Sequence, residues 1–162
     1  MKKTTFWAFL LSLVTLISCN SNEVHLRLAH YNVGVFHKTA ESSIDVIAAM
    51  MKEIEADVVS LNELDSCARR TGFVDQLARM SALMGDWGSH YVSAMPFQGG
   101  AYGVGITYDP SLNLVKKDKV ALPKLLGPEP RVLAVTEFED FVFATCHLDY
   151  VSEETQMVMK ER

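Results

Sequence analysis

The stretch Ala56-Asp57-Val58-Val59-Ser60-Leu61-Asn62-Glu63-Leu64-Asp65 runs an apolar segment straight into a carboxylate. Residues 57–61 read as a short buried strand, of the kind found in an α/β sheet whose helices cover it. Such a strand ordinarily closes on a turn residue. This one closes on Glu63, with Asn62 before it and Asp65 just after. Polar groups at that edge of an α/β sheet are a chemical signal, because the loops there hold functional side chains while the strands fix their positions.

On the N-terminal side, residues 24–33 (VHLRLAHYNV) alternate. Val24, Leu26 and Leu28 are expected on a buried face, and His25, Arg27 and Ala29 on the other. The strand ends at Asn32. Ser42 or Ser43 then caps a helix in which Ile44, Ile47, Ala48, Met51 and Ile54 share one face, stopping near Ala56.

On the C-terminal side, Phe73, Leu77, Met80 and Met84 predict a helix over 73–84 that stops at Gly85. Strands are expected over 91–94, 103–108 and 113–122, with Asp109-Pro110-Ser111 as a turn. Residues 131–138 and 141–146 read as a hairpin around Glu139-Asp140, and its second strand runs into His147. Ser152 opens a last helix, with Glu153 and Glu154 in its first turn, and that helix is still running at Arg162. The order strand, helix, strand, helix, then several strands predicts one mixed α/β domain over 24–162, without repeats and cut short at its C-terminus.

The first eighteen residues stand outside that domain. Lys2 and Lys3 precede an apolar run from Phe6 to Ile17, the pattern of an export signal. It is shorter than the roughly 20 residues that cross a bilayer. Leu16-Ile17-Ser18-Cys19 resembles the lipobox of bacterial lipoproteins, which implies cleavage before Cys19, lipidation of its thiol and a polar tether over 19–23. The alternative is an ordinary cleaved signal peptide. Export would place the rest of the chain in the cell envelope, anchored to a membrane.

Without residues 1–18 the chain has 13 basic and 20 acidic residues, a net charge of −7. That balance speaks against non-specific binding of a long polyanion. Hydrophobic residues are 49% and charged residues 22% of the whole, an ordinary globular composition. Cys67 and Cys146 remain; an exported protein could pair them, but two unpaired thiols are the favoured reading.

Asn32, Glu63 and His147 each follow an apolar strand. Glu63 can hold a hard divalent cation, since magnesium takes one or two carboxylates and fills its shell with water and phosphate oxygens. Asn32 offers an acceptor and a donor without charge, and His147 can donate to a phosphoryl oxygen or move a proton near neutral pH. Taken singly, each has a plainer reading: a solvated glutamate, an Asn-Val-Gly turn, a satisfied core histidine.

Together the segments HYNVG, ADVVSLNELD, FQGGAYGVGITYDP, PEPRVLAV and FATCHLDY resemble, in this order, the endonuclease/exonuclease/phosphatase family. The likeness covers 26 to about 156. It is closest to exported bacterial members, whose signature matches Asn62-Glu63, Asp65, Arg69-Arg70 and Asp75-Gln76. The resemblance implies a four-layer α/β sandwich of two mixed sheets flanked by helices, and hydrolysis of phosphomonoesters or phosphodiesters with Mg2+ or Mn2+. It implies Glu63 as metal ligand, with Asn32 and His147 at the scissile phosphate. Arg131 stands where the family often keeps an arginine near phosphate, and a strand-edge arginine in water is the equal alternative. Tyr102 lies in the strand that lines the cleft, where packing is its expected part. Nucleic acid, an inositol phosphate or a phospholipid head group would each serve as substrate.

Two departures from the family stand out. Val104 occupies the place of an asparagine, and the family's downstream Gly-Asp-x-Asn motif and late Asp-His pair do not occur before Arg162. The 162-residue chain is therefore expected to be inactive and prone to aggregation. The reading from another class is a non-catalytic surface lipoprotein that uses the same cleft to bind phosphate-bearing ligands.

Overall fold

The computed structural model describes residues 25–37, 43–124 and 127–151, together with 157 and 160. The signal segment, Cys19 and the tether lie outside the described residues, as does nearly all of the helix expected from Ser152. Among the described residues no helix is long and apolar enough to cross a membrane.

Among the described residues seven strands form two sheets. The first has the order β1-β2-β4-β3, from β1 (Leu28–Asn32), β2 (Val58–Ser66), β3 (Gly88–Phe97) and β4 (Gly100–Tyr108). It is mixed, because β1 and β2 run parallel, joined through α1 (Ile44–Glu53), while the other pairs are antiparallel. The second sheet, β5 (Leu114–Ala121), β6 (Val132–Phe138) and β7 (Val142–Cys146), is antiparallel throughout. Both α1 and α2 (Gln76–Gly85) lie against the first sheet, on the side opposite the second. The described residues thus make three of the four expected layers.

The two cores divide along β2. Val59, Leu61 and Leu64 join Ile47, Met51, Leu77 and Met80 under the helices, while Val58 joins Val104, Ile106, Val132 and Phe138 between the sheets. Phe138 packs edge-on to Tyr108 at 5.0 Å.

Four expectations from the sequence need correction. The first strand is shorter than 24–33 and turned over: Ala29 and Tyr31 pack toward the helices, while Leu28 is 52% exposed. The cause lies in the second sheet, whose last described strand, β7, packs over β2 and β4, leaving the outer face of β1 open. Ile54 follows α1 as its exposed C-cap rather than joining the helix face. The second helix begins at Gln76, not Phe73, because Asp75 accepts from the Ala78 amide as N-cap. Phe73 is exposed in the preceding turn, at φ 61.

The fourth correction concerns the opening stretch. The strand does not end before Glu63 but continues to Ser66, and Glu63 sits at a bulge where the pairing with β4 jumps from Asn62↔Val104 to Leu64↔Gly103. The hairpin of 131–138 and 141–146 forms much as expected, as β6 and β7. Cys67 and Cys146 are both free thiols.

Candidate active site

Alternation along β2 would send Glu63 to the helix side between Leu61 and Leu64. The bulge prevents this: Glu63 takes the left-handed conformation, φ 59, and Leu64 returns to the helix core in phase with Leu61. A non-glycine residue in that conformation costs about 1–2 kcal/mol. The backbone is therefore strained at the residue that carries the carboxylate.

Asn32 reaches Glu63 from the neighbouring strand. The parallel register places Asn32 beside Asn62, and its Nδ2 donates to Glu63 Oε1 at 2.8 Å. Asn32 Oδ1 accepts from the Gly34 amide at 3.0 Å, so both ends of the side-chain amide are oriented. The loop that follows carries Gly34, Val35 and Phe36 at positive φ. Gln76 holds it: its Nε2 donates to Val35 O at 2.7 Å and its Oε1 accepts from the Asp65 amide at 2.8 Å. Gln76 is buried, and it ties the loop after Asn32 to the strand just beyond Glu63.

His147 arrives from the second sheet. Asn62, buried between the sheets, donates to Cys146 O at 3.2 Å, and Thr145 Oγ1 donates to Asn62 Oδ1 at 3.4 Å. This clasp brings the residue after Cys146 over Glu63, with His147 Nε2 3.8 Å from Glu63 Oε1. That separation is too long for a hydrogen bond, so Nε2 is left to donate to a third group.

Arg131 stands behind the histidine. It is 4% exposed, so it is not the solvated strand-edge arginine of the alternative reading. Its Nη2 pairs with Glu129 at 3.1 Å and its Nη1 lies 3.3 Å from His147 Nδ1. A guanidinium only donates, so Nδ1 accepts and the ring proton sits on Nε2, facing the cleft. Burial, and then the Arg131 charge, lower the pKa of His147; Glu63 and Glu129 oppose them without prevailing. The ring is a neutral donor.

Tyr102 forms a wall beside this cluster, half-buried, with its pKa pushed up to about 12 by burial first and the Glu63 charge second. It stays a neutral phenol. Val104, where an asparagine was expected, is part of the apolar core between the sheets.

Asp65, Arg70, Asp75 and Gln76 had no role assignable from sequence. The fold gives Asp65 a bidentate pair with Arg70, at 2.7 and 2.8 Å, and Arg70 lies 4.3 Å above the Phe97 ring. Spacing had shown the group of polar residues but not what each one meets.

As to what could be held here, among the described residues no three His, Cys, Asp or Glu side chains gather to enclose a metal ion. The cluster offers Glu63, oriented by an amide and facing a donor histidine, while the neighbouring Glu129 is paired with Arg131. That fits a magnesium-type ion, which keeps most of its waters, and does not fit a structural ion caged by protein ligands.

A mixed sheet packed on an antiparallel one, with helices outside, is the fold of the endonuclease/exonuclease/phosphatase, or DNase I-like, proteins. Solved structures carry the assignment. A mannosyl-6-phosphatase of Bacteroides thetaiotaomicron superposes with a TM-score of 0.64 at 18% identity, over 83% of this chain and 56% of that one. An endonuclease/exonuclease/phosphatase family protein from the same organism gives 0.65 at 19%, over 83% and 55%. The 2',3'-cyclic phosphatase ANGEL2 gives 0.55 at 15%, over 82% and 44%. The chain spans little more than half the length of the first two proteins. No family model and no curated protein matches the sequence.

Proposed function

We propose that the chain carries one side of the active site of a divalent-metal-dependent phosphoesterase, acting on a phosphomonoester or phosphodiester. The observation that carries the reading is the convergence of Asn32, Glu63 and the Nε2–H tautomer of His147 at one end of the paired sheets. Two of the structural neighbours are named as phosphatases, which supports the same chemistry.

Each side chain has a distinct task. Glu63 would hold a magnesium or manganese ion, which when bound supplies Lewis-acid charge to a phosphate oxygen. Asn32 keeps the carboxylate turned toward the cleft. His147 donates from Nε2 to a phosphoryl oxygen, and because the ring is neutral the hydrogen bond strengthens as charge grows on that oxygen. Arg131 acts through His147, fixing its tautomer. The metal-binding and phosphate-binding functions can be tested on this chain alone, whereas turnover is not expected from 162 residues that lack the Gly-Asp-x-Asn motif and the late Asp-His pair.

Calorimetric titration with Mn2+, then with inorganic phosphate in its presence, tests the reading. Binding of both, with Glu63→Gln abolishing the metal step and His147→Ala weakening only the phosphate step, is the expected result. Metal affinity equal in the wild type and Glu63→Gln would sink it. Magnesium-dependent cleavage of a bis-nitrophenyl phosphodiester by this chain, lost in Glu63→Gln, would instead refute the expected lack of turnover.

The N-terminal segment supports a cell-envelope location with a lipid anchor at Cys19. Metabolic palmitate labelling lost in Cys19→Ala is the matching test, and labelling that persists in that variant would reject the anchor.

A further inference from the structure

One buried carboxylate takes no part in the chemistry above. Asp149 is 2% exposed and lies two residues beyond His147, in the segment that leaves β7. Its Oδ1 accepts from the Val151 amide at 3.2 Å, and among the described residues its Oδ2 has no hydrogen-bond partner. A buried acceptor without a donor destabilises a fold, and an apolar side chain of similar size would fill the same space without that cost. Packing alone does not account for an aspartate here.

Its neighbour is Gly127, also buried. A Cβ added at Gly127 would overlap the Asp149 carboxyl group, whose Oδ2, Cγ and Oδ1 are the three atoms nearest that position. Glycine is needed at 127 because the carboxyl group approaches the backbone this closely. Gly127 opens the strap Gly127-Pro128-Glu129-Pro130-Arg131, which leads into β6. Two proline rings lock their own φ angles and restrict the residues before them, so a displacement at Gly127 is passed along the strap to Arg131.

Arg131 is the group whose Nη1 lies 3.3 Å from His147 Nδ1, while Glu129 holds its Nη2 at 3.1 Å. The two segments therefore meet twice, His147 on Arg131 and Asp149 on Gly127. A single contact would leave the histidine segment free to pivot about it. The second contact removes that freedom.

We infer that Asp149 is a positioning residue for His147. Its carboxyl group, seated where Gly127 has no side chain, locks the segment after β7 to the strap and so holds the imidazole against Arg131. The inference deepens the phosphoesterase reading, because the donor that Asp149 positions is the one aimed at phosphate.

Two measurements on the full chain test it: the ring-nitrogen NMR shifts of His147, and calorimetric titration with inorganic phosphate in Mn2+. Asp149→Ala should turn the single Nε2–H tautomer into a mixture and weaken phosphate binding by about fivefold or more, with the Mn2+ step unchanged. Asp149→Asn keeps the shape and should match the wild type in both. Gly127→Ala should reproduce the Asp149→Ala defect. The double variant, in which the new methyl group takes the vacated space, should recover most of it. A wild-type tautomer and phosphate affinity in Asp149→Ala, an equal defect in Asp149→Asn, or a double variant no better than Gly127→Ala would each overturn the inference. If either single Ala variant does not fold, the double variant decides, a wild-type tautomer supporting the lock and a mixture rejecting it. Absence of phosphate binding in the wild type would sink the phosphoesterase reading instead, and the ring-nitrogen shifts would still settle the part of Asp149.

Discussion

Asn32 Nδ2 donates to Glu63 Oε1 at 2.8 Å between two residues 31 positions apart, joined because β1 and β2 pair in parallel with Asn32 opposite Asn62. The bond turns a carboxylate that the strand's own alternation would have buried under the helices. It needs the bulge at Glu63, and the bulge stores strain in the residue proposed to hold the metal. Stability and function pull in opposite directions at this one position.

Replacing Glu63 by Gly or by Ala removes the carboxylate either way, so the pair isolates the backbone cost. The Ala variant should be less stable than the Gly variant by about 1 kcal/mol, because only glycine adopts φ 59 freely. Urea unfolding of the two variants measures it, and equal midpoints would mean that the bulge is relaxed.

Gln76 should matter to stability far more than a helix-start glutamine ordinarily does. Gln76→Leu keeps the approximate volume but strands the buried Asp65 amide and the part-buried Val35 carbonyl. The expected cost is on the order of 3 kcal/mol. Denaturant titration checks this, and Mn2+ affinity should fall as well if the loop after Asn32 depends on the same bond.

The Asp65–Arg70 pair should respond asymmetrically. Arg70→Ala leaves a fully buried carboxylate unpaired and should cost about 3 kcal/mol, whereas Asp65→Asn leaves a guanidinium that is 35% exposed and can turn to water. The cost of Asp65→Asn is expected to be the smaller of the two. Equal losses in thermal unfolding would mean that the carboxylate is hydrated in the folded protein.

The low pKa of His147 gives a pH signature. Because its folded value lies below the ordinary 6.5, the unfolded chain takes up the proton first, so this histidine's contribution to stability is complete above pH about 6.5 and is lost as pH falls through the folded value. His90, lowered first by burial and then by Lys117, acts in the same direction. In an NMR titration the His147 midpoint should lie below 6.5 and rise in Arg131→Met, where Glu63 and Glu129 are no longer opposed by the guanidinium. An unchanged midpoint would show that Arg131 does not control the ring.

Much of the architecture was legible in the chain. Helical spacing placed Ile47, Met51, Leu77 and Met80 in the core, and the hairpin over 131–146 was read close to its observed bounds. The phase of β1 was not legible, because apolar alternation assumes that the apolar face is the covered one, and at Leu28 it is open. Nor was the start of α2, where the exposed Phe73 imitated a helix face and the cap at Asp75 decided the boundary.

For the site, the residue types and their order in the chain were enough to single out Asn32, Glu63 and His147. Each follows or interrupts an apolar strand, and that is a one-dimensional fact. What they do together depends on distances between strands that no local pattern encodes. The parallel register sets Asn32 against Asn62, the Asn62 clasp on Cys146 carries His147 across the gap between sheets, and buried Arg131 decides which ring nitrogen holds the proton. Sequence determined which groups were available, because periodicity and residue chemistry are properties of the chain. The tertiary structure decided their orientation, because a bulge, a sheet-to-sheet hydrogen bond and a tautomer exist only where separate segments meet.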